Sequence, residues 1–356
     1  MVPLPSSLRS VSRGRHLLTL ITTCFLLTLS TFPLANESEL TKADGQVKGI
    51  AGYDIPAWFK ESFLEISDDA SEAGDSGKHL LLFFHLDDCP YCARMLKDNF
   101  NTEPNSTFIQ SNFDSIDINI KGDREVSLND SVQLTEKALA LHLKVLYTPT
   151  ILFANSDNRS VLRIDGYRNP TRFRIALDYV HEKAYLKTSF SEFSVARLKN
   201  AGYAFRHHPA FSSTLDFEKA ASNPLAVIFE DTNCEDCNEI HDTLFGRTDV
   251  SKALTELKVV RVDAMSSAQI VDVSGNKTTP QAWVKSLGLT YRPGVVLFDR
   301  GQEIVRIDNR LYSWHFNGFV KWVAGRHYEQ YPNVYKYMAE LREEHLAAGK
   351  DVNYTD

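Results

Sequence analysis

Two Cys-x-x-Cys motifs, Cys89-Pro90-Tyr91-Cys92 and Cys234-Glu235-Asp236-Cys237, carry the residues of this sequence best suited to chemistry. A thiol attacks as its thiolate, and a cysteine at a helix N-terminus is stabilised in that form by unpaired backbone N–H groups and the helix dipole. Pro90 is tolerated in the first turn of such a helix, where its missing N–H has no partner to lose. Sulfurs at i and i+3 close into a disulfide while the first stays open to attack, so Cys89 is expected to attack and Cys92 to resolve. In the second motif, Glu235 and Asp236 place like charge beside the thiols and disfavour the thiolate by on the order of one pK unit. A less stable reduced form makes that pair the more reducing one, by roughly 30 mV per 1.4 kcal/mol, so electrons would run from Cys234/Cys237 to Cys89/Cys92. Set evenly against this relay is a permanently oxidised bridge in a domain kept for packing or partner binding. Cys234, Cys237 and His241 also fall at i, i+3 and i+7, a ligand-like spacing. The flanking strands explain the motif without a metal, so no metal site is assigned. Ala93 and Asn238 stand where haem attachment needs histidine, and no cofactor is expected.

The elements that must position these cysteines repeat. The apolar run Leu80–Phe84 precedes the first motif and Leu225–Phe229 the second, each reading as a short buried strand. Phe100 and Phe245 follow the second cysteine of each motif by eight residues. Tyr147-Thr148-Pro149 is answered by Tyr291-Arg292-Pro293, 60 and 59 residues after the first cysteine. Arg163-Ile164-Asp165, Phe173 and Tyr179-Val180 recur at an offset of 143 as Arg306-Ile307-Asp308, Phe316 and Trp322-Val323. Two copies of one α/β domain with a mixed sheet account for that register. Polar insertions at 121–129 and 266–278 are expected on the surface. Residues 56–73 read as a helix with Trp58, Phe59, Phe63 and Ile66 on one face.

Arg9, Arg13 and Arg15 lead into an apolar run of about 13 residues that ends near Pro33-Leu34-Ala35. This reads as an export signal over 1–35, since the run falls short of the ~20 residues a membrane-crossing helix needs. An uncleaved anchor is the alternative. Without residues 1–35, which hold three Arg and no acid, the formal charge of −7 becomes −10. That charge disfavours nucleic acid, which is held by Lys and Arg clusters. The remaining layout is a first domain over 36–185, a connector over 186–210, a second domain over 211–330, and a C-terminal helix and tail over 331–356. The connector lacks a Pro/Gly/Ser tract, so the domains are expected to pack together.

Residues 79–97 with Cys-Pro-Tyr-Cys, Thr148-Pro149-Thr150, and Arg163–Asp178 with Gly166-Tyr167 and Pro170 make the chain resemble tandem thioredoxin-like proteins. It is closest to the SoxW-type thioredoxins of bacterial periplasms. The resemblance covers about residues 56–185 and, more weakly, 205–330. It implies two thioredoxin-like domains, each a central mixed sheet flanked by helices. It also implies that Pro149 is cis and faces the dithiol, that Thr148 offers backbone groups to a bound peptide, and that Pro90, Tyr91, Arg292 and Pro293 belong to the substrate-binding surfaces. One departure stands out. The buried acid that such reductases carry six residues before the first cysteine is here Phe83, and Ile228 in the second copy. His85, on the same strand face as Phe83, is a candidate for proton handling, with a histidine that merely caps the strand as the competing reading.

The sequence therefore points to a periplasmic thiol–disulfide oxidoreductase, read as a reductase of protein disulfides that is supplied by an upstream thiol donor. A disulfide isomerase or oxidase fits the same residues, and so does a scaffold that presents its proline groove to one partner. No stable membrane span is expected once the signal is removed.

Overall fold

The computed structural model describes residues 44–198, 201–220 and 222–356, so the expected signal over 1–35 lies outside the described residues. After a two-residue strand β1 (Val47–Lys48) and a helix α1 (Ile66–Asp75), strand β2 (His79–His85) is buried along its whole length. Its apolar run is continuous because both faces are covered. Leu81 and Phe83 meet Phe100, Phe153 and Phe173 on one side. Leu80, Leu82 and Phe84 meet Ile66, Ala70 and Leu139 on the other. β2 delivers the chain into α2 (Pro90–Met95), which widens into a π turn over Leu96–Phe100. Then come α3 (Asn105–Asn112), β3 (Phe113–Asn119), a hairpin of β4 (Glu125–Asn129) and β5 (Val132–Thr135), α4 (Glu136–His142), β6 (Thr150–Ala154), β7 (Ser160–Asp165) and α5 (Pro170–His181). The sheet runs β3-β2-β6-β7, with β2 parallel to β3 and the other pairs antiparallel.

The second copy follows α6 (Phe190–Arg197), which starts on a reciprocal capping box of Ser189 and Glu192. It consists of β8 (Phe211–Ser212), α7 (Phe217–Ala220), β9 (Leu225–Glu230), α8 (Cys237–Ile240), α9 (Thr248–Leu254), β10 (Lys258–Asp263), a small hairpin of β11 (Ile270–Val271) and β12 (Lys277–Thr278), α10 (Pro280–Leu287), β13 (Gly294–Asp299), β14 (Gln302–Ile307) and α11 (Ser313–Ala324). The π turn recurs over His241–Phe245. The sheet order β14-β13-β9-β10-β8 repeats the first, with β8 added at the edge. A final helix, α12 (Val334–Ala347), lays Met338 on Gly318 of α11, and strand β15 (Val352–Asn353) pairs in parallel with β1. Two mixed sheets flanked by helices are thus the architecture. Among the described residues no helix is long and apolar enough to cross a membrane.

One apolar core runs through both copies, taking Phe83, Phe100 and Ile151 from the first and Ile228, Phe245 and Leu297 from the second. The copies meet around Gly166 and Asn309, which are equivalent positions at the offset of 143. A Cβ on Gly166, whose φ is +77°, would fall 2.4 Å from Asn309 Cβ. This contact, together with the reciprocal pairs Tyr91–Tyr312 and Asn169–Asp236, fits an approximate two-fold relation between the copies. Arg168 is buried across the same seam, donating to Thr290 Oγ1 at 3.0 Å and to the Asp308 carbonyl at 2.9 Å.

One expectation needs correction. The helix read over 56–73 starts only at Ile66. Before it the chain runs along the sheet instead, with Lys60 N–H on Ser115 O and Ser127 N–H on Leu64 O. Trp58 and Phe59 still reach Phe100, but Phe63 is 98% exposed. The insertions at 121–129 and 266–278 lie on the surface as expected, and they add hairpin strands anchored by the buried Val126, Ile270 and Val273. The connector joins packed domains as expected and contributes α6 and Tyr203, whose role appears at the second dithiol.

Candidate functional site

Cys89 is the N-cap of α2 and Cys92 lies one turn on; the two are disulfide-bonded with Cα atoms 5.2 Å apart. Cys92 N–H donates to Cys89 Sγ at 3.1 Å, one of the helix-end N–H groups that would hold a thiolate. Cys89 retains 5% of its surface, and Cys92 none. The Thr148–Pro149 peptide is cis and faces this pair, with Thr148 O 3.6 Å and Thr148 Oγ1 3.4 Å from Cys89 Sγ. Cys89, Pro90, Tyr91 and Thr148 open into a cleft of about 910 Å³ that is also lined by the second copy and by α12.

The hydroxyl of Tyr91 is taken up by the second copy: it accepts Tyr312 N–H at 2.9 Å and lies 3.0 Å from His315 Nδ1, and the Tyr91 ring stacks on Tyr312. Burial holds its phenol well above the ordinary range and pushes His315 down to about 4, so both groups are neutral near pH 7. The first motif thus docks on the start of α11. The two-fold relation returns the contact, because Asn169 and Arg172, at the start of α5, dock on the second motif.

There, Cys234 and Cys237 are disulfide-bonded with Cα atoms 5.4 Å apart; Cys234 is 1% exposed and Cys237 is fully buried. Tyr203 from the connector packs directly on them and is itself 2% exposed. Its hydroxyl donates to Glu230 Oε2 at 2.8 Å and lies 3.1 Å from His241 Nε2, which sits 2.7 Å from Glu230 Oε1. Burial, and then the Glu230 carboxylate, raise the Tyr203 phenol.

The carboxylates of this motif are not free like charges. Asp236 accepts from Asn169 Nδ2 at 2.9 Å and from Tyr291 OH at 2.7 Å, and Glu235 lies 3.9 Å from Arg172 Nε. Arg172 offsets part of the Glu235 charge, whereas the partners of Asp236 are neutral donors that leave its charge beside the thiols. Arg292 is turned onto Asp231 at 2.8 Å and is buried beside the cis Pro293, so it neither offsets Glu235 and Asp236 nor lines an open groove. His241, once a possible metal ligand, is taken up by Glu230 and Tyr203, and the two sulfurs by each other. Among the described residues no cluster of three or more His, Cys, Asp or Glu is placed to hold a metal ion. His85 joins Tyr53, whose hydroxyl lies 2.9 Å from Nδ1, and Asp117, 3.5 Å from Nε2; no hydrogen bond ties it to the dithiol.

Glu230, Tyr203, Tyr312, His315 and Asn309 are site residues that sequence reasoning did not single out. Glu230 had a readable signal, since it stands four residues before Cys234 as His85 does before Cys89. The others arrive only through packing between the copies.

The sequence signature of the thioredoxin-like domain matches residues 66–181 and 213–309, more than half of the chain, and the protein belongs to that family. No curated protein matches the sequence. Solved structures similar to it include a thioredoxin-fold protein from Helicobacter pylori, 22% identical, covering 37% of this chain and 92% of its own, with a TM-score of 0.31. A thioredoxin from Thermus thermophilus is 22% identical, covering 33% and 83%, with a TM-score of 0.27. A disulphide isomerase from Xylella fastidiosa is 15% identical, covering 40% and 92%, with a TM-score of 0.22.

Proposed function

We propose that this protein is an exported thiol–disulfide oxidoreductase of the periplasm, similar to the SoxW-type thioredoxins, and that it reduces protein disulfides through Cys89 and Cys92. The observation that carries this reading is the position of Cys89, capping a helix beside Thr148 and the cis Pro149 at the mouth of a cleft. The Cys89 thiolate attacks a substrate disulfide, forming a mixed disulfide and releasing one substrate thiolate. The Cys92 thiolate then attacks Cys89 Sγ, which restores the Cys89–Cys92 bond and releases the second substrate thiol. Two electrons pass to the substrate, each released thiolate takes a proton, and an upstream dithiol donor reopens the pair. Export is supported by the basic-then-apolar pattern of 9–29.

Reduction is favoured over oxidation by how little stabilises the thiolate. Cys89 Sγ is met by one backbone N–H and by Thr148, while the hydroxyl of Tyr91 is spent on the second copy. A strong oxidant needs a reduced form stabilised well beyond this. Equilibration in thiol buffers, with the Cys89–Cys92 peptide read by mass after alkylation, is expected to give a potential near the about −270 mV of thioredoxins; a value near about −120 mV would make the protein an oxidase. For the second pair, its enclosure by Tyr203 supports a standing bridge over a relay.

A further inference from the structure

We infer that Asp236, which lies between the cysteines of the second motif, is a positioning residue for the first: by holding Asn169 and Tyr291 it fixes the turn 165–169 against which Pro149 rests, and with it the substrate groove at Cys89. The inference rests on the exchange chemistry proposed for Cys89 and gives the standing bridge a part in it.

Gly166 N–H donates to the Pro149 carbonyl at 2.7 Å, and Thr150 Oγ1 donates to Asp165 Oδ1 at 2.8 Å. The cis-proline segment is thereby tied to the end of β7 and the turn that follows it. That turn ends at Asn169, the N-cap of α5, whose Oδ1 accepts Arg172 N–H at 2.9 Å while its Nδ2 donates to Asp236 Oδ1 at 2.9 Å. The other Asp236 oxygen accepts Tyr291 OH at 2.7 Å, and the Tyr291 ring lies 4.9 Å from the Arg168 guanidinium, which donates to the Asp165 carbonyl at 2.8 Å. One carboxylate therefore grips the turn at both ends.

A strand-to-helix turn keeps one shape only where its polar groups are tied, and this one contains Gly166 at φ +77°, the residue with the most backbone freedom. Hydrogen bonds to a carboxylate are roughly twice as strong as those between neutral groups, which suits Asp236 to the task. Its own place is fixed by the bridge: Cys234 and Cys237 flank it, are bonded to each other and are buried. Asp236 does not line the cleft, whereas Thr148 and Gly166 do, so it reaches a substrate only through the turn. Tyr91 stands at the equivalent position of the first motif and grips the start of α11 in return, by accepting Tyr312 N–H.

The test uses the full chain with Cys89 and Cys92 reduced and two oxidants, insulin and bis(2-hydroxyethyl) disulfide, with the reoxidised Cys89–Cys92 peptide read by mass after alkylation. Insulin engages the groove with its backbone, whereas the small disulfide meets little beyond Cys89. In Asp236→Leu the ratio of the insulin rate to the small-disulfide rate is expected to fall about tenfold, with the small-disulfide rate within about twofold of wild type. Asp236→Asn keeps an acceptor for Asn169 and a donor for the Tyr291 oxygen, so it is expected to restore the wild-type ratio and to separate hydrogen bonding from charge. Tyr291→Phe, which removes one hydroxyl and keeps the ring, is expected to lower the ratio about threefold. The ratio does not depend on the fraction of active protein. A ratio unmoved in Asp236→Leu or in Tyr291→Phe, equal losses with both oxidants, or an Asp236→Asn variant that behaves like Asp236→Leu overturns the inference. If the wild-type protein does not reduce insulin, the proposed reductase activity fails and the inference with it; if it does, these outcomes overturn the inference alone.

Discussion

Serine in place of Cys89 is expected to lower insulin-disulfide reduction by about 10³-fold or more, with the fold intact. A serine hydroxyl does not ionise near neutrality and forms no mixed disulfide, so the attacking atom is lost rather than weakened. Cys92 has no exposed surface from which to take over. The local structure survives for a definite reason: Cys89 caps α2 by accepting Cys92 N–H, and serine is among the preferred residues for that role. Circular dichroism unchanged beside lost turnover is the expected pair of results. Retained turnover would remove Cys89 from the chemistry.

The second large effect lies under the other disulfide. Glu230 has no exposed surface and holds both Tyr203 and His241, at 2.8 and 2.7 Å. Glu230→Leu removes the charged partner of both Tyr203 and His241 and leaves them only each other, which costs about 3 kcal/mol. Glu230→Gln keeps hydrogen-bonding atoms at the same reach and is expected to cost less. Urea unfolding of the two variants measures the difference. The loss also reaches the thiols, because Tyr203 covers Cys234 and Cys237 and is anchored by Glu230. Faster reduction of that disulfide in Glu230→Leu is the accompanying result, and an unaltered midpoint would show that the cluster contributes nothing.

Much of this arrangement is legible in the chain because it is local and duplicated. The two motifs, the apolar strands before them, and the prolines 60 and 59 residues on are set by spacing within one copy, and spacing survives in sequence. What one copy does to the other is not local. Gly166 and Asn309 meet because equivalent surfaces pack, and nothing around either residue announces it. Glu235 and Asp236 illustrate the cost of counting charges without partners: Arg172, far away in sequence, offsets part of the Glu235 charge, and Asn169 and Tyr291 fix Asp236 in place. Residues 56–65 failed for another reason. Their aromatic spacing suits a helix, but backbone hydrogen bonds to Ser115 and Ser127 tie the segment to the first domain as an irregular run with a turn at 57–59. Glu230 was within reach, since the repeat aligns it with His85, but a glutamate in a strand reads as an edge until its burial is known.

The central claim is a division of labour: Cys89–Cys92 exchanges and Cys234–Cys237 stands. Brief treatment of the folded, oxidised protein with a dithiol reductant, followed by alkylation and peptide mass measurement, tests it directly. Two alkyl groups, both on the peptide containing Cys89 and Cys92, with Cys234 and Cys237 labelled only after denaturation, is the predicted result. Labelling of Cys234 and Cys237 at an equal or faster rate would contradict it.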